Sequence, residues 1–597
     1  MSVSELVARH SMGHPGSVVN GHLVPTAEER TAYQAAHPDA WDTTVKYGYY
    51  GLYFIAAAMF LAMVMNAHYR WTQRRRLASF SSKASALHAE AYAMARWAVY
   101  ARLPWWLERR IAPIYTSGSF AQTAFLGTAF VFCTGWCFGI TYYYRPPFYG
   151  SSPLGLRSEW LAMAMLPFLF VLAQKRNFIS YFTGSSYEKL QVLHQGVAGL
   201  HFYMSIVHTV SMSIRGARES ALKNTIYTNG FAALAPLFWL CVVSMPIFRT
   251  KAYEAFWVLH ILAALAYLGL LFWHVYPLLD GPAYMYATFA VMMWGFLLRI
   301  GWLLYRNVNK HMAEVTLTPA GAVLVTIPTR IRWSPGQHVL LRFPAVRPLE
   351  SHPYSLATPA SEAEEEHTMR FAIHTQTGFS LALADAARAA GGTARLRVFI
   401  DGPFGDERAE MRAYDGALLL AGGSGITQLL PVFLDLLRCR RGEDGPRSRC
   451  GKVELIWAMR HKDSLLWFEK DITDALAGIS DGGVSVKIYV TRDDVEKQAS
   501  TPSTPDEEKD GVTDQSGSSL DIHSSSSRFT IVSGRPNIPE LIDSHAKTWP
   551  GRVGVVACGP PSFTNDCCNS AAAVQLDILA GGTTCDELYM RSEQFSW

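Results

Sequence analysis

Apolar residues gather in the first half of the chain into seven long runs, at approximately 47–67, 119–142, 159–175, 192–213, 231–248, 255–276 and 283–305. Most reach the ~20 residues that a helix needs to cross a hydrocarbon core of about 30 Å. The third run is short and the fourth contains three histidines, so these two spans are assigned partly from their neighbours. Between the first and second runs, 68–118 holds nine basic residues (Arg70, Arg74, Arg75, Arg76, Lys83, Arg96, Arg102, Arg109 and Arg110) against Glu90 and Glu108. Lys175 and Arg176, Arg249 and Lys251, and Arg306 and Lys310 mark further turns on that side. Positive charge accumulates on the cytoplasmic face of a membrane protein. The pattern therefore predicts an amino terminus outside and everything after about 306 in the cytosol, which seven spans satisfy.

Beyond 306 the period changes. HVLLRF (338–343) and MRFAIHT (369–375) alternate as strands do and are broken by Pro and Gly turns. From 416 the chain reads buried strand, glycine turn, helix: GALLLAGGSGITQLLPVFLDLL. Residues 496–528 are rich in Ser, Thr and Asp and nearly lack bulky apolar side chains, which predicts a disordered insertion. These divisions give an extracytoplasmic segment 1–46, a seven-helix membrane domain 47–305, a β-barrel domain 306–412 and an α/β domain 413–597.

Composition agrees with this division. Of 597 residues, 50% are hydrophobic and 17% charged, against about 25% charged in soluble domains. A formal net charge of +4 argues against a nucleic-acid partner. The nine cysteines show no zinc-type spacing. Cys558, Cys567, Cys568 and Cys585 fall in the cytosolic part and are expected to be reduced, while Cys133 and Cys137 read as packing residues of an apolar helix. Residues 1–46 are polar, without the charged and apolar regions of a cleavable signal peptide.

Four histidines add chemistry to two of the apolar runs. His194 and His208 lie fourteen residues apart in the fourth run, as do His260 and His274 in the sixth. Fourteen helical residues cover about 21 Å and return to within about 40° of the starting direction, so each pair shares one helix face. An ionisable residue inside a span marks a functional site by default. An interhelical hydrogen bond explains one such histidine, but not the same spacing on two helices. Both runs cross from inside to outside, so the helices are parallel, with His194 opposite His260 at the inner level and His208 opposite His274 at the outer. Paired imidazoles at two depths predict two six-coordinate haems, a route for electrons across the bilayer. His201 lies seven residues from either ligand on its helix, with Tyr267 as its counterpart. That pairing removes His201 from the ligand set and predicts a polar contact between the haems.

The soluble half carries motifs of an electron source. His352-Pro353-Tyr354-Ser355 resembles the R-x-Y-S/T element of the ferredoxin-reductase family, with His352 in place of the arginine. There the aromatic ring lies against the flavin and the hydroxyl reaches its N5 edge. Pro335-Gly336-Gln337-His338 lies upstream, and Gly378-Phe379-Ser380 downstream opens a helical stretch whose free N–H groups suit the flavin pyrophosphate. Asp401-Gly402-Pro403-Phe404-Gly405 resembles the turn that closes the flavin barrel. Ala421-Gly422-Gly423-Ser424-Gly425-Ile426-Thr427 sits between strand and helix, the context of a nucleotide-binding glycine turn. Arg460, after Trp457-Ala458-Met459, is placed to hold a 2′-phosphate and so favours NADPH over NADH. Cys558-Gly559-Pro560-Pro561 resembles the family's CGP loop beside the nicotinamide, and the terminal aromatics Trp597 and Phe595 its flavin cover.

In order and spacing, residues 119–597 resemble the fungal ferric reductases, relatives of the NADPH oxidases. The resemblance implies a polytopic α-helical membrane domain with two haems b, followed by a ferredoxin-reductase-like module that binds FAD and NADPH. It implies one-electron reduction of extracellular ferric chelates or siderophores, and of cupric chelates. Trp597 would gate the flavin, Ser355 would sit near N5 and Cys558 near the nicotinamide. A multicopper oxidase–iron permease pair is the downstream partner that it suggests. The protein is expected in the plasma membrane, with the vacuolar membrane left open. The alternative is an NADPH oxidase that makes superoxide, and the seventh span and the equal histidine spacings favour the metalloreductase. Loop 214–230 carries Arg215, Arg218 and Lys223 against Glu219, a charge balance suited to anionic ferric chelates.

Overall fold

The computed structural model describes residues 15–19, 22–37, 40–78, 86–116, 118–146, 148–214, 225–318, 321–360, 364–405, 411–443, 448–479, 482–492 and 529–594. The chain divides into two compact units, Met1–Ala67 with Leu103–Ile300, and His68–Arg102 with Gly301–Trp597. Among the described residues, seven helices are long and apolar enough to cross a membrane. They are α1 (Lys46–Ala78), α3 (Phe120–Phe138), α4 (Pro153–Leu172), α5 (Tyr187–Ile214), α6 (Thr225–Val242), α7 (Tyr253–Val275) and α8 (Gly281–Arg306). A shorter helix, α2 (Ala86–Tyr100), lies between the first two.

The first unit is built around α4. Ser152 caps its amino end by accepting from Gly155 N, and Pro153 occupies the first turn, where a missing N–H costs nothing. Of its apolar stretch 83% is buried, against 33% or less in the other six, so α4 is sheltered by protein. That shelter explains why the third apolar run is shorter than its neighbours. Trp160, Leu161 and Leu166 are fully enclosed, α5 packs along α4, and α7 packs along α6.

The second unit begins with an antiparallel six-stranded sheet. Its strands are β1 (His311–Leu317), β2 (Ala322–Thr329), β3 (His338–Arg342), β4 (His352–Ser355), β5 (His367–His374) and β6 (Thr393–Phe404), in the order β4-β3-β6-β1-β2-β5. Just after β4, Ala357 N donates to Arg370 O of β5, which curls the ends of the sheet together as in a barrel. Alternate residues such as Val323, Val325, Ile327, Phe371 and Ile373 fill its interior, with α9 (Phe379–Ala389) packed on the same core. Asp401–Phe404, expected as a turn, is instead the end of β6. Its register against β3 shifts there, between Leu340 opposite Asp401 and His338 opposite Phe404, and Gly402 (φ 146) lets the chain pass close to Val339, where a Cβ would come within 2.9 Å of that side chain.

Six parallel strands follow: β7 (Gly416–Gly422), β8 (Lys452–Met459), β9 (Val484–Val490), β10 (Thr530–Ser533), β11 (Gly551–Gly559) and β12 (Cys585–Gln594). Their order is β10-β9-β8-β7-β11-β12, so the winding reverses between β7 and β11. Helices α10 (Ile426–Arg441), α11 (Ile538–Thr548) and α12 (Pro561–Leu579) cover the sheet. Segment 68–102, placed by the apolar pattern within the membrane domain, belongs to this unit, where α2 packs on α12 and β12. The predicted insertion 496–528 lies outside the described residues.

Candidate functional site

Helix α5 carries His194, His201 and His208, α7 carries His260, Tyr267 and His274, and the two sets meet rung by rung. Ring centroids are 6.5 Å apart for His194 and His260, 5.9 Å for His201 and Tyr267, and 6.2 Å for His208 and His274. The two helices therefore run parallel with the pairing expected from the spacing. Two imidazoles that bind one metal from opposite sides, at about 2.0–2.1 Å per nitrogen and with each nitrogen about 1.1 Å from its ring centre, have centroids about 6.2–6.4 Å apart. His208 and His274, at 6.2 Å, fall in that range, and His194 and His260, at 6.5 Å, lie just beyond it.

The second nitrogen of every ring is already engaged. His194 Nδ1 lies 3.1 Å from Leu169 O, His201 Nδ1 3.0 Å from Ala162 O and His208 Nδ1 2.9 Å from Gly155 O. A carbonyl only accepts, so each Nδ1 carries the proton and each Nε2 keeps its lone pair. The three acceptors on α4 repeat every seven residues, as the histidines on α5 do, in antiparallel sense. His274 Nδ1 donates to Ile226 O of α6 at 2.7 Å. His260 differs, because its Nδ1 lies 3.0 Å from the hydroxyl of Ser244. That hydroxyl gives its own hydrogen to Leu240 O, so Oγ accepts from His260. Partners of this kind fix the tautomer and aim Nε2 at a metal. In His201 both nitrogens are used, since Nε2 accepts from Tyr267 Oη at 2.6 Å. This is the polar contact expected of His201.

A cavity adjoins the His208/His274 pair, bounded also by Glu159, Phe231, Leu234 and Leu237. Glu159 is 7% exposed and its carboxylate lies 3.6 Å from His208 Nδ1. Gly230 of α6 faces His274, and a Cβ there would come within 2.8 Å of the ring. The apolar pattern does not single out Glu159, Gly230 or Ser244. An acid inside a span is a signal that could have found Glu159.

In the barrel, His352–Ser355 forms strand β4, paired with β3 so that Leu340 faces Pro353. Proline is tolerated here because β4 ends the ordered set of strands. Ser355 Oγ is buried and has no hydrogen-bond partner among the described residues, which suits a group that a ligand completes. Tyr354 stacks on Phe379 at 6.4 Å, His352 approaches the same ring at 4.5 Å, and Glu350 Oε2 lies 3.3 Å from His352 Nε2. Gly378 (φ 63) turns the chain into α9 without a side-chain cap, and Ser380 Oγ accepts from Gln376 N at 3.1 Å. The first N–H groups of α9 are thus available to an anion.

The glycine turn Gly422–Gly425 leaves β7 beside the Cys558-Gly559-Pro560 loop that leaves β11, at the point where the winding reverses. A crevice of this kind is where open α/β sheets bind ligands. The two loops touch so closely that a Cβ on Gly425 would fall 2.1 Å from Cys558 O. Trp457 Nε1 donates to Gly423 O at 2.9 Å, and Thr427 Oγ1 donates to Ser424 O at 2.9 Å, opening α10 at Ile426. The thiol of Cys558 is fully buried, 3.4 Å from Gln428 Oε1, and burial pushes it well above the ordinary range. Arg460 is exposed just after β8. Trp597, Phe595 and the loop charges Arg215, Arg218, Glu219 and Lys223 lie outside the described residues.

Family models match three stretches of the chain. Residues 158–271 match a ferric reductase like transmembrane component, 307–408 an FAD-binding domain and 414–572 a ferric reductase NAD binding domain. A probable cell surface ferric reductase of Aspergillus oryzae is 30% identical over 352 residues, 55% of this chain and 46% of that protein. The ferric/cupric reductase transmembrane component 7 of Saccharomyces cerevisiae is 24% identical over 610 residues, 94% of this chain and 95% of that one. The chain thus spans about half the length of the first relative and nearly all of the second. A solved ferredoxin NADP+ reductase from Neisseria gonorrhoeae, with bound FAD and NADP, aligns with 47% of this chain and 97% of its own, at 18% identity and a TM-score of 0.31.

Proposed function

We propose that this chain, which belongs to the ferric reductase family, is a transmembrane metalloreductase that takes electrons from cytosolic NADPH and delivers them to ferric, and also cupric, chelates outside. The observation that carries this reading is the pair of imidazole rungs, 6.5 and 6.2 Å apart, with every Nδ1 occupied. His194 with His260, and His208 with His274, would each hold one haem b. When bound, FAD converts two-electron donation by NADPH into single electrons of the kind that haem iron carries.

The remaining roles belong to the chain's own residues. Ser355 offers its hydroxyl to the flavin edge, Tyr354 offers its ring, and the opening of α9 at Gly378–Ser380 holds the pyrophosphate. The glycine turn Gly422–Thr427 receives the nucleotide phosphates, and the exposed Arg460 selects the 2′-phosphate of NADPH. Cys558, Gly559 and Pro560 border the nicotinamide. Trp597 covers the flavin until NADPH arrives. The basic residues of 68–118 support an amino terminus outside and the nucleotide-binding side in the cytosol, in the plasma membrane.

The test is turnover of the full chain in vesicles, supplied with NADPH and either a ferric chelate or oxygen alone, with and without superoxide dismutase. Iron reduction that is indifferent to the dismutase supports the metalloreductase. Signal abolished by the dismutase would assign the chain to the superoxide-forming oxidases.

A further inference from the structure

Segment 68–102 is joined to the nucleotide lobe through buried charge. Arg76, near the end of α1, meets the Glu587 carboxylate of β12 with both terminal nitrogens, at 3.0 and 2.6 Å. Arg96 of α2 reaches the same carboxylate at 2.5 Å and lies 3.5 Å from Leu588 O, while Arg552 Nε stands further off at 3.9 Å. The side chains of Arg76, Arg96 and Glu587 keep only 7%, 11% and 12% of their exposure. Burial alone would push the Glu587 carboxyl up, but the Arg96 and Arg76 guanidiniums hold it down at about 2. Around this centre Tyr100 Oη accepts from Met590 N at 2.9 Å, Arg102 N donates to Asn569 Oδ1 at 2.9 Å, and Gln73 donates to Tyr414 Oη at 3.1 Å.

All these contacts bear on β12 or its surroundings. That strand ends the sheet, and an edge strand needs cover. Its far end also pairs with the loop beside the glycine turn, Glu593 opposite Cys558 and Gln594 opposite Gly559. We propose that Arg76 and Arg96 are positioning residues, clamping β12 so that its pairing with the Cys558–Gly559 end of β11 is held in place when NADPH reacts at the flavin. The proposal rests on the reading of this lobe as the NADPH side. A clamp of buried charge fails when one partner is removed, because the others are left unpaired in a dry site.

The experiment uses the full-length protein with its cofactors, as wild type, Glu587→Gln and Arg96→Lys. Hydrogen exchange of 585–594 is followed without NADPH, and KM and kcat for NADPH are followed by flavin reduction. In Glu587→Gln, protection of β12 is expected to fall by about 100-fold or more. KM is expected to rise roughly five- to tenfold with a smaller change in kcat, and haem absorbance to stay as in wild type. Arg96→Lys keeps the charge but loses the reach to Leu588 O. It gives smaller shifts in the same directions and carries the test should Glu587→Gln not accumulate. Unchanged protection overturns the clamp, and lost protection with unchanged KM and kcat overturns its positioning role. A wild-type chain that oxidises no NADPH would instead refute the assignment of the lobe.

Discussion

Gly230→Ala is expected to empty one haem site and spare the other. A Cβ at this position would lie 2.8 Å from His274 Cε1, 3.0 Å from Nδ1 and 3.3 Å from Nε2. Unstrained carbon contacts lie at about 3.5–4.0 Å, so the ring must retreat by at least about 0.7 Å. It has little freedom to do so, because Nδ1 is held 2.7 Å from Ile226 O on the same helix as Gly230. Overpacking of this kind costs about 1–3 kcal/mol, which at 1.4 kcal/mol per decade weakens haem binding about 5- to 150-fold. The assay is haem per polypeptide by the pyridine haemochrome method, with electron paramagnetic resonance to separate the two centres. Loss of the His208/His274 signal is expected, with the His194/His260 signal intact. Gly135→Ala is the control, because a Cβ there meets nothing within 4 Å. Two haems per chain with unchanged resonance in Gly230→Ala would refute the placement of His274 as a ligand.

Ser244→Ala removes the one side-chain hydroxyl that bonds any of the four paired histidines among the described residues, and should weaken the His260 centre about 10- to 100-fold. A haemin titration resolved by centre checks this, and an unchanged His260 signal would contradict it. Tyr267→Phe leaves the buried Nε2 of His201 without a donor, at a cost of about 1–3 kcal/mol. Thermal unfolding should show that loss while haem content stays at two, and His201→Leu combined with it should show strong coupling. Two acids set the pH dependence of the second unit. Burial opposes ionisation of Glu454, yet its bonds to His545 and Lys487 hold it at about 2, and Glu587 is held there by Arg96 and Arg76. Folded values below the ordinary 4.5 mean that the stabilisation is complete above about pH 5 and is lost as pH falls toward 2. Nucleotide-lobe unfolding, followed by tryptophan fluorescence, should therefore shift progressively across that window, and a flat profile would contradict both ion-pair networks.

The pairing of the four histidines could be read from sequence because it depends on helical period alone, and His201 with Tyr267 followed from the same count. The partners that orient the rings could not be read. Leu169, Ala162 and Gly155 act through their carbonyls, which every residue type possesses, so no choice of side chain announces them. Gly230 is silent for a related reason, since its role is an absent Cβ. Strands β3 and β5 and the glycine turn after β7 were legible because strand alternation and glycine restrict the backbone directly. At the end of β6 Gly402-Pro403 signals a turn locally, whereas pairing with β3 carries the strand on to Phe404 through an irregular register. Segment 68–102 was misassigned because positive charge marks a membrane side equally well whether the arginines are solvated or, like Arg76 and Arg96, buried against an acid.

The two rungs are held by different means, and that difference bears on how each can vary. His194, His208 and His274 are aimed by backbone carbonyls, so point substitutions on the accepting helices leave the acceptors in place as long as helix register is kept. Register on α4 is itself secured by burial on all sides. His260 is aimed by one hydroxyl whose orientation depends on a second bond to Leu240 O. Imidazole basicity follows the strength of the bond at Nδ1, and a hydroxyl is a weaker and more adjustable acceptor than a fixed carbonyl. The His208/His274 rung has a further neighbour, the Glu159 carboxylate at 3.6 Å from His208, and the inner rung has no acid among the described contacts of its two rings. A hydroxyl therefore sets one rung apart and a buried acid the other, which distinguishes two otherwise alike histidine pairs.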